Sequence, residues 1–151
     1  MIAFKDLGEV LKITLKWEHK LKDFYDVAEY ALKSPESKKA VQILRDRLTE
    51  KLEILKGVDV KSFGKTEWVR YAPASRDEDL IPIGKIRRDT AAEEIFDHLL
   101  DYEAKLENTY SSIANNLISR TQKDLFESLA AFKSEQIEEI RSLKASQMSK
   151  Q

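Results

Sequence analysis

The sequence predicts an all-α protein, a four-helix bundle made of two helical hairpins joined by a long crossover. Three observations predict it. Apolar residues recur at spacings of three and four along four long segments, as they do in helices that bury one stripe. Glycine and proline, four and three in 151 residues, leave these segments almost uninterrupted and gather mainly between the second and third. The first two segments also align with the last two without gaps, so the chain reads as one hairpin used twice. A chain of this length fits one domain, residues 1–151, with a core of its own.

The first helix is expected over about 4–33. From Phe4 onward its seam is Leu7, Leu11, Thr14, Glu18, Leu21, Tyr25, Ala28 and Leu32. Ser34 and Pro35 then end it and start the second helix, with serine as the N-cap and proline in the first helical position. That helix, 35–56, carries Val41, Leu44, Leu48, Lys51, Leu52 and Leu55 along one side and stops near Gly57. The crossover, about 57–89, contains Pro73, Pro82, Gly64 and Gly84. It also contains Phe63, Trp68, Val69, Tyr71, Leu80, Ile81 and Ile83, which predicts an ordered segment packed on the bundle. Thr90 and Glu93 form a capping-box pattern that opens the third helix, 90–118, with seam Ala92, Phe96, Leu99, Glu103, Leu106, Tyr110, Ile113 and Leu117. Thr121 and Asp124 open the fourth, 122–144, with seam Phe126, Leu129, Lys133, Gln136, Ile137, Ile140 and Leu143. The polar tail from Lys144 is expected to fray.

Composition removes several classes of function. With 26 basic against 27 acidic residues there is no net basic field for a nucleic-acid backbone. The absence of cysteine removes disulfides, thiolate metal sites and cysteine nucleophiles, and two histidines are too few for a histidine-rich metal site. His19 and His98 fall off the seams and read as surface residues. No apolar run approaches a membrane span and the N-terminus is charged, so a cytoplasmic protein without a membrane partner is expected. A homodimer or another protein partner is expected, with Trp68 and Tyr71 read either as core or as part of such a surface.

The internal repeat brings out the unusual residues. Trp17-Glu18-His19-Lys20-Leu21-Lys22-Asp23-Phe24-Tyr25 aligns with Tyr102-Glu103-Ala104-Lys105-Leu106-Glu107-Asn108-Thr109-Tyr110. Each has a glutamate in an apolar seam and a tyrosine seven residues on. Two hairpins, a long crossover and inward glutamates are the ferritin-like architecture. Over roughly 4–143 the chain resembles the rubrerythrin-like branch of the ferritin-like superfamily. The resemblance implies that Glu18 and Glu103 stand at di-iron ligand positions and that Tyr25 and Tyr110 are the inner-face tyrosines. It also implies that the remaining ligand positions hold Leu48, Lys51, Lys133 and Gln136, in the framework Phe126-x-x-Leu129-Ala130-x-x-Lys133-x-x-Gln136. The di-iron site is then degenerate, and no cofactor is expected.

A second register competes. Glu50 with Glu53 and Glu135 with Glu138 have i, i+3 spacing, and with Glu18 and Glu103 they would make an all-carboxylate site for iron or manganese. A slide of two residues rotates a helix by about 200°, however, and would turn Leu48, Leu55, Phe126, Leu129 and Ile140 to water. Burial of each such side chain is worth about 1.5–3 kcal/mol, so the unshifted register is preferred. Lys133 is then expected beside the inward glutamates, while Lys51, near its helix end, is expected to snorkel to solvent. No nucleophile–base pair, phosphate loop or dinucleotide fingerprint is present. The sequence thus favours a structural or partner-binding bundle over an enzyme. Its alternative is a di-metal oxidoreductase of rubrerythrin type, reducing peroxide or oxidising ferrous iron.

Overall fold

In a computed structural model the described residues are 3–59, 68–71 and 86–149. Four helices dominate: α1 (Leu7–Ala31), α2 (Pro35–Lys56), α3 (Ala92–Asn115) and α4 (Arg120–Ser149). Helices α1 and α2 form one hairpin and α3 and α4 the other. The hairpins meet through α1 against α3 and α2 against α4, which closes a four-membered ring around one core. The all-α four-helix bundle of two hairpins is therefore the architecture of this chain.

The N-terminal boundary differs from the periodicity. Ala3–Asp6 is a strand, β1, paired antiparallel with β2 (Trp68–Tyr71) in the register Ala3↔Tyr71 to Asp6↔Trp68. Residue 4 is thus in a strand rather than in the first helical turn. The switch occurs at Asp6, which has extended backbone and accepts the Glu9 N–H at 3.0 Å as the N-cap of α1. A two-stranded ribbon is marginal by itself, and this one lies along α1 and α3. Part of the crossover is thereby tied to the bundle. Phe63, Leu80, Ile81 and Ile83 lie outside the described residues.

The other boundaries follow local chemistry. Helix α1 ends at Ala31 rather than 33, because Leu32 and the pre-proline Ser34 are extended. Ser34 caps α2 by accepting the Ser37 N–H at 3.3 Å, with Pro35 in the first helical position, as the sequence predicts. Helix α3 departs from its predicted cap. Its N-cap is Ala91, no side chain caps it, and Thr90 Oγ1 instead accepts the Arg87 N–H at 2.7 Å. The far end of α3 stops at Asn115, where Asn116 and Leu117 turn back by short-range bonds to Ile113 and Ala114. Helix α4 begins at Arg120, two residues before the predicted start, with the Ser119 carbonyl accepting the Lys123 N–H at 2.9 Å. It continues to Ser149 rather than fraying from Lys144, whose ammonium bonds Asp97 on α3.

The buried residues reproduce the predicted seams, with Leu7, Leu11, Leu21 and Ala28 facing Leu44, Leu48, Phe96, Leu99, Leu106, Phe126 and Ile140 in one core. Trp17 and Tyr102 are also core residues, and the Tyr102 hydroxyl donates to the Trp17 carbonyl at 3.0 Å. The side chains of Trp68 and Tyr71 lie outside the described residues.

Candidate functional site

An apolar seam has no use for a charge, yet the centre of this bundle encloses three: Glu18 on α1, Glu103 on α3 and Lys133 on α4. The Lys133 ammonium donates to Glu18 Oε2 at 2.6 Å and lies 3.3 Å from Glu103 Oε2. The second contact is an ion pair without hydrogen-bond geometry, and Glu103 Oε2 accepts no hydrogen bond. Lys133 is therefore bound chiefly to Glu18.

Each carboxylate is also held by a tyrosine, and the pairing crosses between the repeats. Tyr25 on α1 donates to Glu103 Oε1 at 2.9 Å, while Tyr110 on α3 donates to Glu18 Oε1 at 2.8 Å. A glutamate and a tyrosine seven residues apart are separated by about 10.5 Å along a helix. The start of α3 lies beside the α1–α2 junction, so α1 and α3 run in opposite directions and each tyrosine reaches across to the other helix's glutamate. The repeat in the sequence is thus a near-twofold arrangement in space, and Lys133 breaks it.

Burial disfavours charge on both tyrosines, and the adjacent carboxylates add to the effect, holding both pKa values well above the ordinary tyrosine value. Burial also pushes the Glu103 carboxyl up to about 7, with Lys133 pulling it down and Glu18 pushing it up. Burial works against the Lys133 charge, but Glu103 and Glu18 outweigh it and hold its pKa above the usual lysine value. Two carboxylates share one ammonium, and Glu103 Oε2 is left without a hydrogen bond. The arrangement ties together five buried side chains from three helices.

Tyr25 and Tyr110 give a direct test of the enclosure. Because the folded tyrosines stay neutral where unfolded ones ionise, stability should fall as pH rises above about 10. Tyrosinate absorbance from these two residues should appear together with loss of helical circular dichroism. Full tyrosine ionisation in a protein that is still helical would contradict the enclosure.

The other candidate positions sort clearly. Leu48 is core, and Gln136 is buried with its amide donating to the Leu44 carbonyl at 3.1 Å, tying α4 to α2. Lys51 reaches out to Ser128 Oγ at 3.5 Å, over the Phe132 ring. Glu50, Glu53, Glu135 and Glu138 are exposed, so the all-carboxylate set is not brought together. His19 is exposed, as expected, but His98 is half-buried rather than on the surface, with Nε2 enclosed and 3.7 Å from Glu94 Oε1. The crossed pairing and the Gln136 bond were not read from the sequence. The repeat carried a signal for the first, since a doubled hairpin implies symmetric partners; no signal indicated which carbonyl Gln136 would reach.

The donor set does not fit a metal pair. Around Glu18 and Glu103, Leu48, Gln136, Lys51 and Lys133 bring a methyl-ended chain, an amide and two ammonium groups, and the Lys133 ammonium stands between the carboxylates. Among the described residues no group of three or more histidine, aspartate or glutamate side chains is arranged to hold an ion. No helix among the described residues is long and apolar enough to cross a membrane. No protein-family model, curated protein or solved structure matches the chain.

Proposed function

We propose that this chain is a ferritin-like bundle of rubrerythrin kind in which a lysine ion pair has replaced the di-iron centre. In this reading it serves as a structural or partner-binding module rather than as an enzyme. The observation that carries the reading is the Lys133 ammonium, 2.6 Å from Glu18 and 3.3 Å from Glu103. A divalent ion between those carboxylates would have to displace a cation that is already hydrogen-bonded there. Nearby the protein offers it Leu48 and the Gln136 amide, which is committed to Leu44. The resemblance supplies the rest: inward glutamates at equivalent places in two hairpins, with a tyrosine beyond each.

Elemental analysis of protein produced with added iron and manganese, and purified without chelators, tests this. Well under one metal ion per chain is expected, together with no peroxide reduction or ferrous oxidation above that of buffer. Close to two ions per chain, with turnover that depends on Glu18 and Glu103, would establish the metal-dependent oxidoreductase instead. The module reading further expects a specific complex, with this chain or another, that survives when Glu18, Glu103 and Lys133 are replaced together by apolar residues. A bundle that stays strictly monomeric and captures nothing on cross-linking in cells would count against it.

A further inference from the structure

The outer face of the bundle carries a pattern that the core does not explain. Among the described residues the large apolar side chains left exposed are Tyr30, Ile43, Ile54 and Ile118. Tyr30 is engaged by Arg88, whose guanidinium donates to its hydroxyl and lies over its ring, and Ile118 is in the turn between α3 and α4. Ile43 and Ile54 are both on α2, 45% and 65% exposed. Apolar residues scattered singly over a surface are ordinary, but these two are aligned. Their separation along the chain corresponds to about 16.5 Å of helix and to a rotation within about 20° of three full turns. Both therefore stand on one outward line.

Between them the same line holds Arg47 and Glu50, both exposed. The stripe Ile43-x-x-x-Arg47-x-x-Glu50-x-x-x-Ile54 reads the same in either direction, except that arginine and glutamate change places. That is what a surface needs in order to complement itself about a twofold axis. If a second copy lays its α2 antiparallel along this one, with the axis between Leu48 and Thr49, Ile43 falls opposite Ile54 of the second copy and Arg47 opposite Glu50 of the second copy. Every contact then occurs twice. Arg47 is only loosely engaged within its own chain: Nη1 is 3.9 Å from Glu139 Oε1 on α4, and both side chains are about half exposed.

Charge selects the partner. A wholly acidic or wholly basic surface would satisfy one of the two charges and be repelled by the other, whereas the same stripe turned end for end satisfies both. Shape agrees with charge. Beside Ile43 a groove of about 310 Å³ opens between α2 and α4, with Ala40, Leu44 and Leu143 in its lining. In the antiparallel arrangement this is the level at which Ile54 of the second copy arrives. We propose that the outward face of α2 is a homodimer interface, on which a second copy of this chain packs antiparallel about a twofold axis through the middle of the helix. The proposal gives a partner to the module argued above, and it rests on that reading only for the expectation of a specific complex.

Sedimentation velocity of the full chain from about 1 µM to 1 mM, the range in which an interface of modest size associates, should show a monomer–dimer equilibrium. Arg47→Glu and Glu50→Arg should each weaken the dimer by at least about tenfold, because the twofold axis makes one substitution turn two attractions into two repulsions. An equimolar mixture of these two variants should dimerise as the parent does, since every opposed pair in the mixed dimer joins an arginine to a glutamate. The double variant Arg47→Glu with Glu50→Arg should do the same. Rescue in the mixture is a result that misfolding cannot produce. The proposal is overturned by a parent that stays monomeric over the whole range, including one that captures a different protein instead. A dimer that both single variants leave unchanged also overturns it, because the interface is then elsewhere on the chain. Weakening in the single variants without rescue in the mixture overturns the antiparallel pairing. Capture of a different protein, or a dimer through another face, would leave the partner-binding module standing, and metal content and turnover, which these surface substitutions do not touch, decide that reading separately.

Discussion

Lys133→Ala is expected to lower the free energy of unfolding by about 3–5 kcal/mol, the usual cost of removing one partner from a buried ion pair. The cost has a definite origin. Without the ammonium, Glu18 keeps the Tyr110 hydroxyl and Glu103 that of Tyr25, both inside the core. Lys133→Met restores most of the lost volume, so any loss that remains in that variant measures the missing charge rather than a cavity. The geometry also says which carboxylate to neutralise. Lys133 hydrogen-bonds Glu18 and only approaches Glu103, so Glu18→Gln combined with Lys133→Met should recover much of the loss, since the pair is then replaced rather than broken. Denaturant melts of the single and double variants at about pH 6 decide the matter. If both single changes at Lys133 shift stability by only about 0.5 kcal/mol, as surface substitutions do, the ammonium is not enclosed between the glutamates and the proposed replacement of a metal by Lys133 is overturned.

The second large effect is a dependence on pH with an unusual sign. Most carboxylates that gain partners on folding make a protein more stable as pH rises through the acid range. Glu103 should do the opposite. Its carboxyl, ordinarily near 4.5, is pushed up to about 7 in the folded protein, mainly by burial. Between these values the folded state binds more protons than the unfolded state, so the stability contributed by this residue falls as pH rises, and it levels off above about 7. At full extent the change is worth about 3 kcal/mol. The groups that face it are Glu18 and Tyr25 from α1 and Lys133 from α4; Lys133 opposes the shift most, the Tyr25 hydrogen bond opposes it less, and Glu18 adds to it. Removing Lys133 should therefore extend the slope to higher pH. Glu103→Gln, which has no proton to exchange, should flatten the curve between about pH 5 and 8. Comparing melts of the parent and Glu103→Gln across that range isolates the effect of this one carboxyl. Parallel curves for the two proteins would show that Glu103 remains ionised throughout.

Both expectations depend on side chains whose positions were legible in the sequence to different degrees. Glu18, Glu103 and Lys133 occupy seam positions among leucines, isoleucines and phenylalanines, and burying those neighbours is worth more than keeping the charges wet. The inward placement of the three therefore followed from periodicity, and so did the outward placement of Glu50, Glu53, Glu135 and Glu138. His98 shows the limit of that reasoning. It lies off the α3 seam, yet it is half-buried, because the edge of a buried face is set by how closely the neighbouring elements approach.

Along the chain, sequence alone determined the four helices, the Ser34–Pro35 junction and the doubled hairpin. These depend on patterns within a few turns of the chain, on local capping and on the stiffness of proline. Tertiary structure decided what depends on a distant partner. Ala3–Asp6 became a strand because Trp68–Tyr71 pairs with it, and Lys144 of α4 found Asp97 on α3. The crossed tyrosine bonds and the preference of Lys133 for Glu18 belong with them. Hydrogen bonds and ion pairs select partners over a few tenths of an ångström, and distances on that scale are set only when the helices have packed.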